Sequence, residues 1–200
     1  PQKAVGLLGK MIKDSIPKKF RFDPRNDIQV LTPMQKGELG ARNLNQMLQK
    51  LLNPRGEEVE RFGLIYRVGD KVMQTENDYD KEVYNGDIGR ITTIDAEACE
   101  LVVDFDGRKV GYDFCELDEL TLSYAITIHK SQGSEYPCVV IPLHTQHYVL
   151  LQRSLIYTAI TRAKKLVILI GTKKALSLAV TRSESRERTT TLAERLKEYS

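Results

Sequence analysis

Leu122-Ser123-Tyr124-Ala125-Ile126-Thr127-Ile128-His129-Lys130-Ser131-Gln132-Gly133-Ser134-Glu135-Tyr136 is the stretch on which the reading of this chain turns. Leu122, Tyr124, Ile126 and Ile128 alternate with small residues, so both faces are apolar enough for a buried strand. From Thr127 onward the side chains become hydroxyl, imidazole, ammonium, amide and carboxylate, with little left to pack. Open α/β sheets hold ligands in turns of this kind, at the carboxyl ends of their strands. The residues alone also allow a plainer reading, a polar loop following a core strand.

Working outward, residues 122–128 read as a strand, 138–143 as a second and 166–170 as a third, with a helix over 151–164 and a short helix after Gly171 to about Val180. That order predicts a mainly parallel α/β sheet. A charged spacer over 181–188 and a last amphipathic helix over 191–199 are expected beyond it. Upstream, Val5, Leu7, Leu8, Met11 and Ile12 form a helical stripe over residues 3–14 that should stop before Pro17. Residues 28–31 read as a buried strand ended by Pro33. Gly37 and Gly40 bracket a turn, and Leu44, Met47, Leu48, Leu51 and Leu52 give the next helix its spacing until Asn53-Pro54 stops it.

Between about Leu64 and Asp118 the character changes to short strands separated by turn signals. Residues 71–75, 88–94, 100–105 and 108–114 read as a small antiparallel barrel, and Asp106-Gly107 is a strong two-residue hairpin signal. Such a segment should close on itself, so exchanging residues 67–118 for a Gly/Ser linker is expected to leave a folded α/β core.

The chain has 200 residues, 41% hydrophobic and 28% charged, the profile of an ordinary globular protein. No apolar run approaches the roughly 20 residues of a bilayer-spanning helix, so no membrane is expected. Its start at Pro1 rather than Met reads as an excised fragment. The formal charge of +3 neither demands nor excludes nucleic acid. Cys99, Cys115 and Cys138 lack metal spacing and are expected as buried free thiols of a cytoplasmic protein. His144 and His147 read as loop residues, and no metal site is expected.

Thr127-Ile128-His129-Lys130-Ser131-Gln132-Gly133-Ser134-Glu135-Tyr136 resembles motif V of superfamily 1 helicases in the RecD/TraA branch. The run from Ile28 to Met34, with Gly37, Leu39-Gly40, Leu44-Asn45 and Asn53-Pro54, resembles the motif IV region of that branch. Leu155 to Lys165 resembles motif VI. Three motifs in order over nearly the whole chain identify it as a member of the RecD-like DNA helicases, akin to the exodeoxyribonuclease V alpha chain. The resemblance implies a RecA-like P-loop-NTPase-type parallel sheet, the second motor domain, interrupted by an SH3-like β-barrel. On this reading residues 1–63 and 119–200 form the motor domain and 64–118 the insert. There is no GxxxxGK[ST]: Gly6-Leu7-Leu8-Gly9-Lys10 lacks the spacing and the hydroxyl. The phosphate loop and Mg2+ ligands are therefore expected in a missing N-terminal RecA-like domain.

The resemblance also implies roles. Arg162, placed beside the buried face of a helix over 155–163 and stacked on Thr158 and Ala159, becomes the arginine finger; the alternative is a solvated surface arginine. Gln132, Gly133 and Glu135 fall on the nucleotide side, Gly133 by allowing close backbone approach and Glu135 as an acceptor for a ribose hydroxyl. Thr127 and His129 match positions that touch DNA phosphates, and Thr32 offers a hydroxyl at the end of its strand, with packing by Pro33 and Met34 the competing use of that motif. Tyr79, Tyr84, Lys71, Lys81 and Arg90 mix the aromatic and basic groups that grip single strands, but Asp78, Asp80, Glu82 and Asp87 lie among them, and a solvated surface explains them equally. The implied parent uses ATP and Mg2+, translocates on single-stranded DNA 5′ to 3′ and pairs, in some relatives, with RecB/RecC-like subunits; this fragment by itself is expected to be inactive. The competing class is a non-enzymatic recruiting module with a degenerate RecA-like fold.

Overall fold

The computed structural model describes residues 2–182. Nearly all of the expected spacer and the whole of the last helix lie outside them. The chain opens with α1 (Gln2–Lys10), a π-helical turn over Met11–Ser15 and α2 (Ile16–Phe20). The helical path therefore does not stop before Pro17. In the wide turn the Ile16 N–H reaches back to Met11 O, and Pro17, which has no N–H to donate, falls directly after it in the first positions of α2. Strand β1 (Ile28–Thr32) is buried throughout, and α3 (Ala41–Leu52) follows. Next come β2 (Glu58–Arg61), β3 (Leu64–Arg67), β4 (Lys71–Gln74), β5 (Ile88–Asp95), β6 (Glu100–Phe105), β7 (Arg108–Asp113) and β8 (Leu120–Leu122). The last part holds β9 (Ala125–Thr127), β10 (Tyr136–Leu143), α4 (Arg153–Ile160), β11 (Ala163–Gly171) and α5 (Lys173–Thr181).

Two sheets result. The first has the order β11-β10-β1-β9 with every pairing parallel, the α/β architecture expected. The second has the order β7-β6-β5-β4-β8 and is antiparallel, with β2 and β3 forming a separate hairpin. Asp106-Gly107 is the predicted two-residue turn: Phe105 faces Arg108, and both turn residues take the positive φ of 52° and 96° that such a hairpin requires.

The strand expected over 122–128 is two strands. Leu122 pairs with Val72 in the antiparallel sheet, whereas Ala125 pairs with Val30 in the parallel one, and the chain passes from sheet to sheet at Ser123-Tyr124. Alternation of apolar and small residues serves a buried strand in either sheet, so the pattern does not record the change. The antiparallel sheet thus extends past residue 118. The crossing is held from three directions. Asn45 of α3 accepts from Ala125 N (2.7 Å) and donates to Leu122 O (2.7 Å) and Ala125 O (2.8 Å). Gln29 of β1 donates to Ser123 O at 2.9 Å and Tyr124 O at 3.2 Å, and its own oxygen accepts from Lys71 Nζ at 2.8 Å. The fully buried Asp70 carboxylate accepts from Gln49 (2.5 Å), Asn53 (2.7 Å), Arg67 N (2.7 Å) and Tyr124 OH (2.9 Å).

One apolar cluster runs from Leu8, Ile12, Leu44 and Leu48 through Tyr66 and Val72 to Ile91, Leu101 and Tyr112. The insert shares the main core, which overturns the expectation that it can be cut out cleanly.

Candidate nucleotide and nucleic-acid site

Register sets the site. Thr32 lies beside Thr127 at the carboxyl ends of β1 and β9. Tyr136 lies beside Ala163 at the opposite end of the sheet, where β10 and β11 begin. Residues 128–135 must therefore travel from one end of the sheet to the other and pass β1 on the way. They do so with only a single 3-10 turn, His129–Ser131, whereas parallel strands are usually joined by a helix. The polar run is thus a crossover rather than a turn at the carboxyl ends alone. Ser131, its one buried polar side chain, bonds back to Ile128 O at 2.7 Å and tightens the path.

His129, Gln132, Gly133 and Glu135 are exposed along this crossover. Gly133 has φ 87° and no atom within 4 Å of the place a Cβ would take, so the turn needs glycine and its outer side is open. Thr127 is half-buried, and its Oγ1 accepts from Lys130 N at 3.4 Å. A cleft of about 390 Å³ separates the crossover from α4, lined by His129, Gln132, Gln152, Ser154 and Thr158. A second, of about 460 Å³, lies on its other side against Asn85, Gly86 and Asp87 of the insert. Gln132 lines both.

Arg162 is not on a helix. α4 ends at Ile160, Thr161 caps it with φ −71° and ψ −6°, and Ala163 already pairs with Tyr136. The apolar 3-4 pattern ran on past the helix end because β11 is apolar too. Arg162 still lies by Thr158, as expected: its Nε donates to Thr158 O at 3.3 Å, one terminal nitrogen to Ser134 O at 3.3 Å and the other to Thr161 Oγ1 at 3.4 Å. Its own carbonyl accepts from Tyr136 N at 2.8 Å. The end of the crossover and the start of β11 are thereby tied together, which brings Gly133, Glu135 and Arg162 to one place. All three guanidinium contacts are long, and two of its five N–H groups have no acceptor among the described residues. Such a fork suits the paired oxygens of a carboxylate or a phosphate. Glu135 lies 3.6 Å from Lys164 Nζ, both exposed, a contact worth little.

Other expected residues fall elsewhere. Thr32 is fully buried and donates to Leu39 O at 2.6 Å, so its hydroxyl anchors the loop after β1 instead of facing a phosphate. Of the mixed group on the insert, Lys71 is buried against Gln29, Lys81 is paired with Glu116 at 2.7 Å and Arg90 donates to Gly69 O at 2.8 Å and to Asn26. Tyr79 and Tyr84 remain exposed, edge to face with centroids 6.1 Å apart. Cys99 and Cys115 are exposed at turns flanking the β6–β7 hairpin; only Cys138 is buried, and burial pushes its thiol up to about 11. His147 is a core residue, not a plain loop position: burial pulls its imidazole down to about 4. No helix among the described residues is long and apolar enough to cross a membrane, and none of their His, Cys, Asp and Glu side chains group as metal ligands.

Sequence reasoning passed over Gln29, Asn45, Asp70, Lys71 and Tyr124 as a set. Gln29 and Lys71 carried a signal, since each is a polar residue inside an otherwise buried strand.

Residues 44–105 match the family model of the ATP-dependent RecD-like DNA helicase SH3 domain, and residues 122–170 that of the UvrD-like helicase C-terminal domain. The fold is thus that of a helicase C-terminal domain carrying an SH3-type insert, and the recruiting-module alternative is not favoured. Among curated proteins the chain is 43% identical over 172 residues to the ATP-dependent RecD2 DNA helicase of Deinococcus radiodurans, covering 86% of this chain and 24% of that protein. It is 33% identical over 168 residues to the RecBCD enzyme subunit RecD of Haemophilus influenzae, covering 81% of this chain and 24% of that protein. The Bacteroides Pif1 helicase, solved with ADP-AlF3 and ssDNA, shares the fold with a TM-score of 0.60 and 20% identity, over 100% of this chain and 50% of that one. The chain belongs to the RecD-like helicase family. It spans about a quarter of the length of these curated relatives.

Proposed function

We propose that this chain is the second motor domain of an ATP-dependent DNA helicase that translocates 5′ to 3′ on single-stranded DNA. Residues 1–63 and 119–200 form the motor part, and the insert over 64–118 is carried on to Leu122 by β8. The observation that supports this best is the tie between Arg162 and the crossover, through Ser134 O and Tyr136 N. It sets a guanidinium with spare donors on Ser134, the residue that follows the open turn at Gly133.

In this reading Arg162 is the arginine finger, and Gln132, Gly133 and Glu135 border the nucleotide. ATP and Mg2+ bind chiefly to an N-terminal RecA-like domain, which supplies the phosphate loop and the metal ligands. Thr127 and His129 meet the DNA strand at the other end of the crossover. The crossover then couples the two ligands, because one short segment borders both. RecB/RecC-like subunits are candidate partners of the parent.

The test is Arg162→Ala in the full-length protein. The kcat for DNA-stimulated ATP hydrolysis should fall by about 10³-fold or more, with nucleotide affinity within about tenfold. A kcat within a few-fold of wild type would make Arg162 a surface residue. The fragment alone should hydrolyse no ATP above background.

A further inference from the structure

Tyr136 presents an anomaly that the nucleotide-site reading does not use. Its ring is buried, 7% exposed, in the apolar cluster that holds Ile128, Leu155 and Ile156, with Ile88 of the insert packed against it. Its hydroxyl is also buried, yet has no hydrogen-bond partner among the described residues. The Ser134 hydroxyl and the Arg162 charge are near enough to act on the phenol, against the upward pull of burial, but no bond of acceptable geometry forms. Phenylalanine would fill the same space without burying an unsatisfied polar group. A hydroxyl that costs stability where it stands has a use in another arrangement of its neighbours.

The neighbour able to rearrange is Arg162. Its backbone is fixed to that of Tyr136 through the 2.8 Å bond to its carbonyl, while its guanidinium is held only by the three long contacts. Lys71 Nζ lies over the phenol ring, 5.6 Å from its centroid, and Lys71 is anchored to Gln29. Tyr136 therefore touches both Lys71 and the backbone of Arg162 from the start of β10, a strand paired on both sides.

Resting on the nucleotide-site reading above, we propose that Tyr136 is a positioning residue for Arg162. Its hydroxyl accepts a guanidinium N–H when Arg162 releases the Ser134 carbonyl to meet a triphosphate. A phenol oxygen can take this bond while donating its own proton to the Ser134 carbonyl that Arg162 has released, so the orphaned phenol is satisfied only in the engaged state. Engagement is thereby favoured without adding a contact to the nucleotide itself.

Two measurements test this. In the 200-residue chain, Tyr136→Phe should leave Tm unchanged or raise it by a few degrees; a fall of several degrees means that the hydroxyl is a structural bond, and overturns the proposal. In the full-length protein, Tyr136→Phe should lower kcat for DNA-stimulated ATP hydrolysis by about 5- to 20-fold with KM for ATP within about twofold. Added to Arg162→Ala, it should change kcat no further, because the residue it positions is gone. An unchanged kcat in the single variant, or a multiplied loss in the double variant, overturns the proposal. If Arg162→Ala is itself silent, the nucleotide-site reading falls and this inference with it. If Arg162→Ala acts and Tyr136→Phe does not, only the positioning role falls.

Discussion

The joint at Ser123-Tyr124 and the crossover over 128–135 are separated in the chain only by β9, depend on polar groups, and follow opposite rules. At the joint, Asp70, Gln29 and Asn45 are buried, and their amide and carboxylate groups carry the bonds described above. Along the crossover, His129, Gln132 and Glu135 are exposed, and the guanidinium that closes it is held by long contacts. Buried polar groups are costly unless fully paired, so the joint specifies one geometry. Exposed polar groups cost little to leave unpaired, so the crossover keeps its donors for ligands. On the proposed function, the joint is the fixed support and the crossover beside it the segment with bonding capacity to spare.

The largest effect should come from removing the insert's side of the joint. Exchanging residues 67–118 for a short linker deletes Asp70 and Lys71 and opens the shared core beside Tyr66, Leu44 and Leu48. The product should be insoluble or lack a cooperative melt. A soluble, cooperatively folding core would show that the two sheets are energetically independent.

Next is Asp70→Ala. Four donors, from Gln49, Asn53, Tyr124 and the Arg67 backbone, would lose their acceptor at a buried site. The expected cost is about 3–5 kcal/mol, a fall in Tm of roughly 10 °C. Gln132→Ala, on the crossover, should stay within about 0.5 kcal/mol of wild type. Equal losses at the two positions would erase the distinction between joint and crossover. Chemical denaturation of both variants decides it.

A smaller effect follows from pH. Burial, with the charge of Arg90 adding to it, pulls the Lys71 ammonium down to about 8. The unfolded chain titrates this group near 10.4, so between the two values the folded state binds fewer protons. The contribution of Lys71 to stability is lowest below about pH 8 and rises as pH climbs toward 10. Comparing wild type with Lys71→Met cancels the other titrating groups. The balance should move toward wild type by roughly 1 kcal/mol or more between about pH 7 and 10; a flat difference would mean that Lys71 is solvated.

How legible all this was depends on what a period can carry. The buried strands β1 and β10, the amphipathic α3 and the Asp106-Gly107 hairpin follow from local pattern and turn chemistry, and the residues state them directly. The change of sheet at Ser123-Tyr124 does not, because either sheet accepts the same alternation. The end of α4 was overrun for a similar reason: an apolar helix face flows into an apolar strand. Arg162 was nonetheless placed by Thr158, because a residue four positions on lies close whether the helix continues or is capped. The joint was illegible since its members are spread from Gln29 to Tyr124 and meet only through topology. Thr32 was misread because a hydroxyl at a strand end looks the same whether it faces solvent or a buried carbonyl.

The central claim is that the crossover serves two ligands at its two ends while the joint behind it stays fixed. Hydrogen–deuterium exchange on the full-length protein addresses it most directly. Single-stranded DNA should slow exchange around Thr127 to Gln132, and a non-hydrolysable ATP analogue around Gly133 to Tyr136 and at Arg162. Amides from Leu122 to Ala125 should be protected throughout and change with neither ligand. Ligand-dependent exchange at the joint with none along the crossover would contradict the account.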